Sequence, residues 1–144
     1  MNETNCLFCS MVGGTEPYSL VRETRSVLAL MDIQPVNPGH VLVVPKTHAT
    51  YLADLDPKLG GEIFEVGMTV AAGLRQSGVR CEGVNFFLAD GAAAGQEVFH
   101  VHLHVFPRFE NDRFGLRFGP EYGKRAARAD LDRVSAQIRK AIEE

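Results

Sequence analysis

Three of the five histidines alternate with aliphatic residues between His100 and Val105. Side chains of an extended chain point alternately to the two faces of a sheet, so the three imidazoles are predicted to share one face while the aliphatic residues turn to the core. An unperturbed imidazole titrates near pH 6.5, and near neutrality it can therefore act as a nucleophile, a proton donor or a metal ligand. Half-buried surface histidines would also produce such rings. Three rings on one face are better explained by a reactive site.

A catalytic zinc ion held by all three histidines is one alternative interpretation of this pattern. Residues four apart on a strand lie about 13 Å from each other, whereas zinc needs each nitrogen at about 2.0 Å. At most two neighbouring imidazoles can share an ion, so the three rings must have different roles.

The elements predicted around these histidines indicate a sheet with one major helix. A helix is predicted from the N-cap Asp56 and Pro57 to Gly78, because apolar residues recur there at helical spacing. Further apolar residues at helical spacing between Leu131 and Ala141 predict a C-terminal helix. The predicted strands are 18–22, 26–32, 40–44, 83–88 and 99–108, and the last two are joined by a small-residue loop over 90–96. This order indicates an α+β domain with a mainly antiparallel sheet.

Length and composition limit the classes of protein that need consideration. The chain has 144 residues, 45% of them hydrophobic, which suits one domain with one core. A net charge of -3 argues against nucleic-acid binding, and no apolar run approaches the roughly 18 residues of a membrane span. Three cysteines are too few for a disulfide framework, so a cytoplasmic location is expected.

Three motifs resemble the histidine-triad (HIT) superfamily of nucleotide-binding proteins. They are H-V-H-L-H-V-F from His100, P-x-x-P-G-H-V-L-V-V-P from Pro35, and D-G-A-A-A-G-Q-E-V-F from Asp90. The resemblance runs from about Cys6 to Arg108 and implies a five-stranded antiparallel sheet with one long helix, in a homodimer whose two sheets join. The expected organisation is one domain over 1–144, with its core at about 6–108 and a C-terminal loop and helix at 109–144.

The resemblance also implies cleavage of a nucleotide at its α-phosphate through a nucleotidyl-histidine, with His102 as the nucleophile. A neutral ring has a free lone pair if its other nitrogen is fixed as a donor, so His102 can attack phosphorus directly. His104 is expected to donate to a phosphate oxygen or to the leaving group, and His40 to support the reacting rings from behind. A nucleotide-binding regulatory module with little turnover is the alternative.

Similarity to HIT proteins assigns a second set of residues to the substrate, which is expected to be a purine nucleotide such as AMP or GMP or a dinucleoside polyphosphate. Asp32 is expected to accept from the ribose hydroxyls. Backbone N–H groups of the 95–98 stretch, with Gln96, Glu97 and Val98, are expected to hold the phosphate, although an ordinary tight loop would look alike. The base pocket matches Leu7, Phe8, Leu30 and Ile33, which plain hydrophobic core would also explain.

Two positions depart from the family pattern at the phosphate end. Ala89 stands where an Asn or Gln is frequent, and Glu97 where many members carry Ser or Thr. Both changes remove neutral hydrogen-bonding side chains from the phosphate end. The sequence therefore does not identify the leaving group of the substrate. The segment that follows contains Arg108, Arg113 and Arg117 among phenylalanines, and either a lid over the substrate or a solvated loop would explain it.

Cys6 and Cys9 form a C-x-x-C motif, which alone is compatible with redox chemistry, metal binding or chance. Spacing of two suits a tetrahedral zinc site that takes two imidazoles from elsewhere, and His48 and His100 are the natural completers. The resemblance to bacterial-type HIT proteins implies the same four ligands around a structural zinc, which would leave His102 metal-free. Unliganded reduced thiols are the alternative, and no organic cofactor is expected.

Overall fold

The computed structural model describes residues 5–144. The elements in chain order are α1 (Leu7–Val12), β1 (Leu20–Glu23), β2 (Val27–Met31), β3 (Val41–Pro45), α2 (Pro57–Gln76), β4 (Gly83–Phe87), β5 (Leu103–Arg108) and α3 (Arg128–Glu143). The chain divides into a unit that ends at Phe114 and a second unit over Gly115–Glu144. The expectation of a single domain stays a prediction.

The five strands form one antiparallel sheet in the order β1-β2-β3-β5-β4. This confirms the predicted α+β fold with a five-stranded antiparallel sheet. β5 lies between β3 and β4, so His104 is paired with Leu42 on one side and with Phe87 on the other. The sheet therefore places the last histidine of the triad on an interior strand rather than at an edge.

The two faces of the sheet bury different sets of side chains, because consecutive residues of a strand point in opposite directions. On one face, Val27 and Ala29 of β2 pack in a cluster with the apolar residues of α2. On the other face, Leu28 and Leu30 pack in a second cluster with α1. The predicted inward-facing residues of the histidine segment, Val101, Leu103 and Val105, all belong to the α2 cluster.

α2 begins where the sequence predicts. The side chain of Asp56 accepts a hydrogen bond of 2.9 Å from the N–H of Lys58, and Pro57 occupies the first turn, where its missing N–H costs nothing. The helix ends at Gln76, shortly before Gly78, whose φ of +84° suits glycine. The predicted apolar face is buried against the sheet at Ile63, Val66, Val70 and Leu74.

The structure differs from the prediction at three places. β1 runs from Leu20 to Glu23 rather than over 18–22. The last strand begins at Leu103 rather than at residue 99, because the N–H of Val101 donates to the carbonyl of Ala49, outside the β3–β5 ladder. α1 is absent from the prediction because a helix of six residues is too short to show helical periodicity.

The second unit contains the predicted C-terminal helix, α3. The apolar side chains that mark it, including Leu131, Val134 and Ile138, are exposed in this chain. No helix among the described residues is long and apolar enough to cross a membrane.

Candidate active site

His102 and His104 lie side by side at a cavity of about 380 Å³, with 4.9 Å between their ring centroids. Seven of the eight residues predicted to bind substrate line this cavity, namely Leu7, Phe8, Leu30, Asp32, Ile33, Glu97 and Val98. The remaining one, Gln96, is buried outside the lining. The sequence reasoning missed Met11 and Phe87, which also line the cavity. The hydrophobic pattern held a signal for Phe87, which lies within the predicted strand 83–88 and ends the observed β4.

His102 has one ring nitrogen fixed as a donor. Its Nδ1 lies 2.8 Å from the carbonyl oxygen of His100, and because a carbonyl can only accept, Nδ1 carries the proton. The lone pair is consequently at Nε2. Burial lowers the pKa of His102, and the hydrogen bond to His100 and the charge of Asp32 only partly oppose this shift. The ring is therefore neutral at neutral pH, with its lone pair at Nε2.

A chain of hydrogen bonds fixes the proton of His104 as well. The backbone N–H of Val36 donates to Nδ1 of His40 at 3.0 Å, so the proton of the neutral His40 ring is on Nε2. That nitrogen lies 2.9 Å from Nδ1 of His104 and donates to it, which leaves the proton of His104 on its own Nε2. Burial, together with the neighbouring His102 and His40, lowers the pKa of His104 to about 4. His104 is thus a neutral hydrogen-bond donor.

The carboxylate of Asp32, one of the lining residues of the cavity, lies close to these rings. Its Oδ2 lies 3.5 Å from Nε2 of His40 and 4.0 Å from Nδ1 of His104, while Oδ1 accepts from the N–H of Gln34. The three side chains are close enough to hold a metal ion. However, the bond from Val36 keeps the proton of His40 on Nε2, so that nitrogen has no lone pair to offer this group. This group is therefore a hydrogen-bonded support for the ring of His104 and not a metal site.

The loop predicted to hold phosphate is closed by its own hydrogen bonds. The N–H of Gly95 donates to the carbonyl of Ala92, and the N–H of Gln96 to that of Gly91. Two of the four predicted phosphate donors are thus used within a tight turn, which Gly91 and Gly95 make possible with φ of 100° and 92°. Within residues 5–144, the N–H groups of Glu97 and Val98 donate to no other group.

The side chain of Gln96 explains its absence from the cavity. Its Nε2 donates to the carbonyls of Thr50 and Val98, and its Oε1 accepts from the N–H of Gly91. The buried amide thus ties the loop to the segment after β3 and holds the N–H of Val98 in place. Gln96 supports the phosphate end of the cavity through the backbone, which its sequence position alone did not indicate.

A second cluster contains the four residues predicted as metal ligands. Donor atoms of Cys6, Cys9, His48 and His100 all lie within 4.8 Å of one another. Nδ1 of His100 lies 3.3 Å from Sγ of Cys6, 3.6 Å from Sγ of Cys9 and 3.2 Å from Nδ1 of His48. A tetrahedral zinc ion with Zn–N of about 2.0 Å and Zn–S of about 2.3 Å requires about 3.3 Å between two nitrogens and about 3.5 Å between nitrogen and sulfur. The observed separations fit such an ion.

The protonation of His100 also fits metal binding. Its Nε2 lies 2.8 Å from the carbonyl oxygen of Pro45 and must donate to it, so the lone pair is at Nδ1, the atom that faces the two thiols. Burial lowers the pKa of His100 and favours this neutral form. The four side chains can therefore hold a metal ion with two sulfur and two nitrogen donors.

Arg108, at the end of β5, is engaged away from the cavity. Its guanidinium donates to Asp112 at 2.6 and 3.0 Å and to Asn85 at 2.6 Å, and Asn37 donates to Asp112 as well. These bonds hold the pKa of Asp112 well below its usual range. Arg108 is not a lining residue of the cavity, so its contribution here is to hold the turn after β5.

Comparison with known proteins identifies the family. The model of the HIT domain matches residues 14–111. An uncharacterized HIT-like protein of Borreliella burgdorferi is 40% identical over 116 residues, which cover 80% of this chain and 84% of that protein. The adenylylsulfatase HINT3 of Arabidopsis thaliana is 32% identical over 76% of this chain, which spans 55% of the plant protein.

The fold agrees with this match. The crystal structure of a zinc-bound histidine triad family protein from Mycobacterium smegmatis aligns with a TM-score of 0.76 at 36% identity and covers 97% of this chain and 99% of that one. The motif-bearing residues, the antiparallel sheet and these similarities agree, and this chain belongs to the HIT domain family.

Proposed function

We propose that this protein is a hydrolase or nucleotidyltransferase that cleaves nucleoside 5′-phosphoryl compounds at the α-phosphate through a covalent adduct on His102. The observation that carries the proposal is the neutral His102 ring, whose Nδ1 proton is held by the carbonyl of His100 beside an apolar cavity. Phosphoramidates of the AMP-amine type and dinucleoside polyphosphates are the two substrate classes that share this reacting centre.

In the first step, the Nε2 lone pair of His102 forms a bond to the α-phosphorus. The bond from phosphorus to the leaving group breaks, and the leaving group departs with that electron pair and takes a proton from water. His102 then carries positive charge, which strengthens the hydrogen bond from its Nδ1 to the carbonyl of His100. In the second step, water attacks the phosphorus, the P–N bond returns its electrons to the ring, and the proton that the attacking water loses passes to the solvent.

His104 supports both steps as a hydrogen-bond donor. A ring whose pKa is about 4 is uncharged at neutral pH, so it stabilises the developing charge on a phosphate oxygen without transferring a proton. The free N–H groups of Glu97 and Val98 are suited to the other oxygens. At the opposite end, Asp32 is suited to accept from the ribose hydroxyls of AMP or GMP.

Zinc is the metal proposed for the Cys6, Cys9, His48 and His100 group. The donor set of two thiols and two imidazoles and its tetrahedral spacing support zinc, as does the zinc-bound relative from Mycobacterium smegmatis. When bound, zinc would supply a closed structural tie. A homodimer is proposed as well, because β4 is an outer strand of the sheet and its outer edge can pair with a second copy.

The test is the fate of His102. Rapidly quenched wild-type protein given an adenosine phosphoramidate should show an adenylyl adduct on His102 by mass spectrometry. Replacement of His102 by Asn should reduce turnover to below about one thousandth while AMP binding remains measurable. Cys81→Ser is the matched control, because Cys81 lies outside the cavity lining and the metal group.

Two outcomes separate the alternatives. Wild-type-like turnover by the Asn variant would refute nucleophilic catalysis by His102. AMP binding by the wild type without turnover of the phosphoramidate, diadenosine triphosphate or diadenosine tetraphosphate would favour a binding module instead. A comparison of rates on these substrates also identifies the preferred leaving group.

A further inference from the structure

The helix α1 connects the metal group to the cavity. Cys6 directly precedes it and Cys9 lies within it, while Leu7, Phe8 and Met11 of the same helix line the cavity. One short segment thus contains both two of the four metal donors and part of the apolar wall of the cavity. Any displacement of the two thiols must move this wall.

α1 cannot hold this position by its own stability. Six residues are far fewer than the 12–15 or so that an isolated helix needs in water. The N-cap residue Cys6 makes no side-chain capping bond, and the first turn contains no acidic residue. Burial of Phe8 and Met11 and the groups around the two thiols must therefore keep the helix in place.

Phe8 is the residue of α1 that reaches both histidines of interest. Its ring centroid lies 5.6 Å from that of His100 and 5.2 Å from that of His102. His100 in turn faces the thiols through Nδ1 and accepts the Nδ1–H of His102 through its carbonyl. One metal ligand therefore fixes the reactive ring by its backbone, and one aromatic ring packs on both.

We propose that metal occupancy of the Cys6, Cys9, His48 and His100 group sets nucleotide affinity, with Phe8 as the positioning residue that transmits it. Without an ion, the two cysteine and two histidine side chains are joined only by hydrogen-bond contacts, so α1 loses its strongest restraint and the cavity loses one wall. With the ion, α1 is held against His102, and the pocket is preorganised for the base. The inference rests on the proposed nucleotide binding.

The first experiment measures AMP affinity by calorimetry with and without zinc. Removal of zinc by a chelator should weaken AMP binding by at least about tenfold, and added zinc should restore it in the wild type and in Cys81→Ser but not in Cys9→Ser. Equal AMP affinity in the zinc-loaded and zinc-free wild type would overturn the proposal.

The second experiment keeps the metal and changes only the transmitting residue. Phe8→Leu should retain one zinc per chain, yet shift the ¹⁵N signal of the His102 Nδ1–H in the nucleotide-free protein. Met11→Leu is the matched control, because Met11 lines the same wall and is not among the aromatic contacts of His102. An unchanged His102 signal in Phe8→Leu, or an equal shift in Met11→Leu, would refute the role of Phe8.

Failure of this inference is distinguishable from failure of the proposed function. If the zinc-loaded wild type binds no AMP, the nucleotide proposal fails, whereas the His102 signal still reports whether the metal and Phe8 control the ring. If AMP binds and turns over equally with and without zinc, only the coupling is refuted. Unfolding of the zinc-free protein would leave the Phe8→Leu comparison as the deciding test.

Discussion

Lowering the pH below about 6.5 is expected to destabilise this protein through the ring of His104. Burial lowers the pKa of this ring to about 4, with smaller contributions from His102 and His40, and the carboxylate of Asp32 at 4.0 Å only partly compensates. In the unfolded chain the same imidazole titrates near 6.5. Between these two values the unfolded state binds more protons than the folded state, so stability falls as the pH falls through this window. Above about pH 6.5 the ring is neutral in both states and contributes no pH dependence.

The size of the effect follows from the difference between the two pKa values. A shift from 6.5 to about 4 corresponds to about 3 kcal/mol if the full difference acts on folding. The side chain of His104 is 21% exposed, and solvent screening of this kind reduces such contributions. We therefore expect a loss of about 1–2 kcal/mol in the free energy of unfolding between pH 6.5 and pH 4.

The assay compares urea unfolding of the wild type and of His104→Asn at several pH values in this range. All other side chains are common to the two proteins, so the difference between the two curves reports on His104. The difference should shrink by about 1–2 kcal/mol as the pH falls. Curves that remain parallel, or an NMR titration that places the pKa of His104 near 6.5, would refute the reasoning.

Three further predictions concern packing, specificity and metal. Gly67→Ala should lower the free energy of unfolding by about 0.5–2 kcal/mol, because a Cβ there would lie only 3.0 Å from a side chain of β5. A Cβ at Gly73 in the same helix would meet no neighbour, so Gly73→Ala should raise the free energy of unfolding by up to about 1 kcal/mol. Equal effects of the two substitutions in urea unfolding would contradict this. Glu97→Ser should change the ratio of polyphosphate to phosphoramidate turnover by about fivefold or more with little change in AMP affinity, and a uniform effect on every substrate would remove Glu97 from leaving-group selection. The purified protein should contain about one zinc per chain by elemental analysis and lose it in Cys9→Ser, and stoichiometric zinc in that variant would argue against the site.

The secondary structure was predictable where a pattern extends over enough residues. The N-cap Asp56, followed by Pro57 and an apolar period of 3.6, predicts α2, and the observed helix starts at Pro57. Apolar and alternating runs predict the strands. Short connections account for the β1–β2 and β2–β3 pairs, whereas the β3–β5 pair joins strands that are far apart in the chain. α1 was not predictable because six residues contain fewer than two turns, and it is held by tertiary contacts rather than by its own propensity.

By itself, the sequence determined which chemical groups share a face and which could meet at one ion. Alternation placed His102 and His104 together, and their rings are neighbours in the fold. The spacing of Cys6 and Cys9 and the two added histidines predicted a donor set that the structure brings within 4.8 Å. The first inference holds because the period of a strand depends on local geometry alone. The second also needed the resemblance to HIT proteins, because only the fold brings residues so distant in the chain to one point.

The tertiary structure alone decided which nitrogen of each ring carries the proton and which backbone groups stay free. The tautomers of His102 and His104 depend on the carbonyl of His100 and the N–H of Val36, groups that every residue possesses and that no sequence pattern distinguishes. The same holds for the loop, where the N–H of Gly95 is used within the turn and that of Val98 is not. Hydrogen bonds of this kind are set by where the chain passes in space, because backbone groups are chemically alike along the chain.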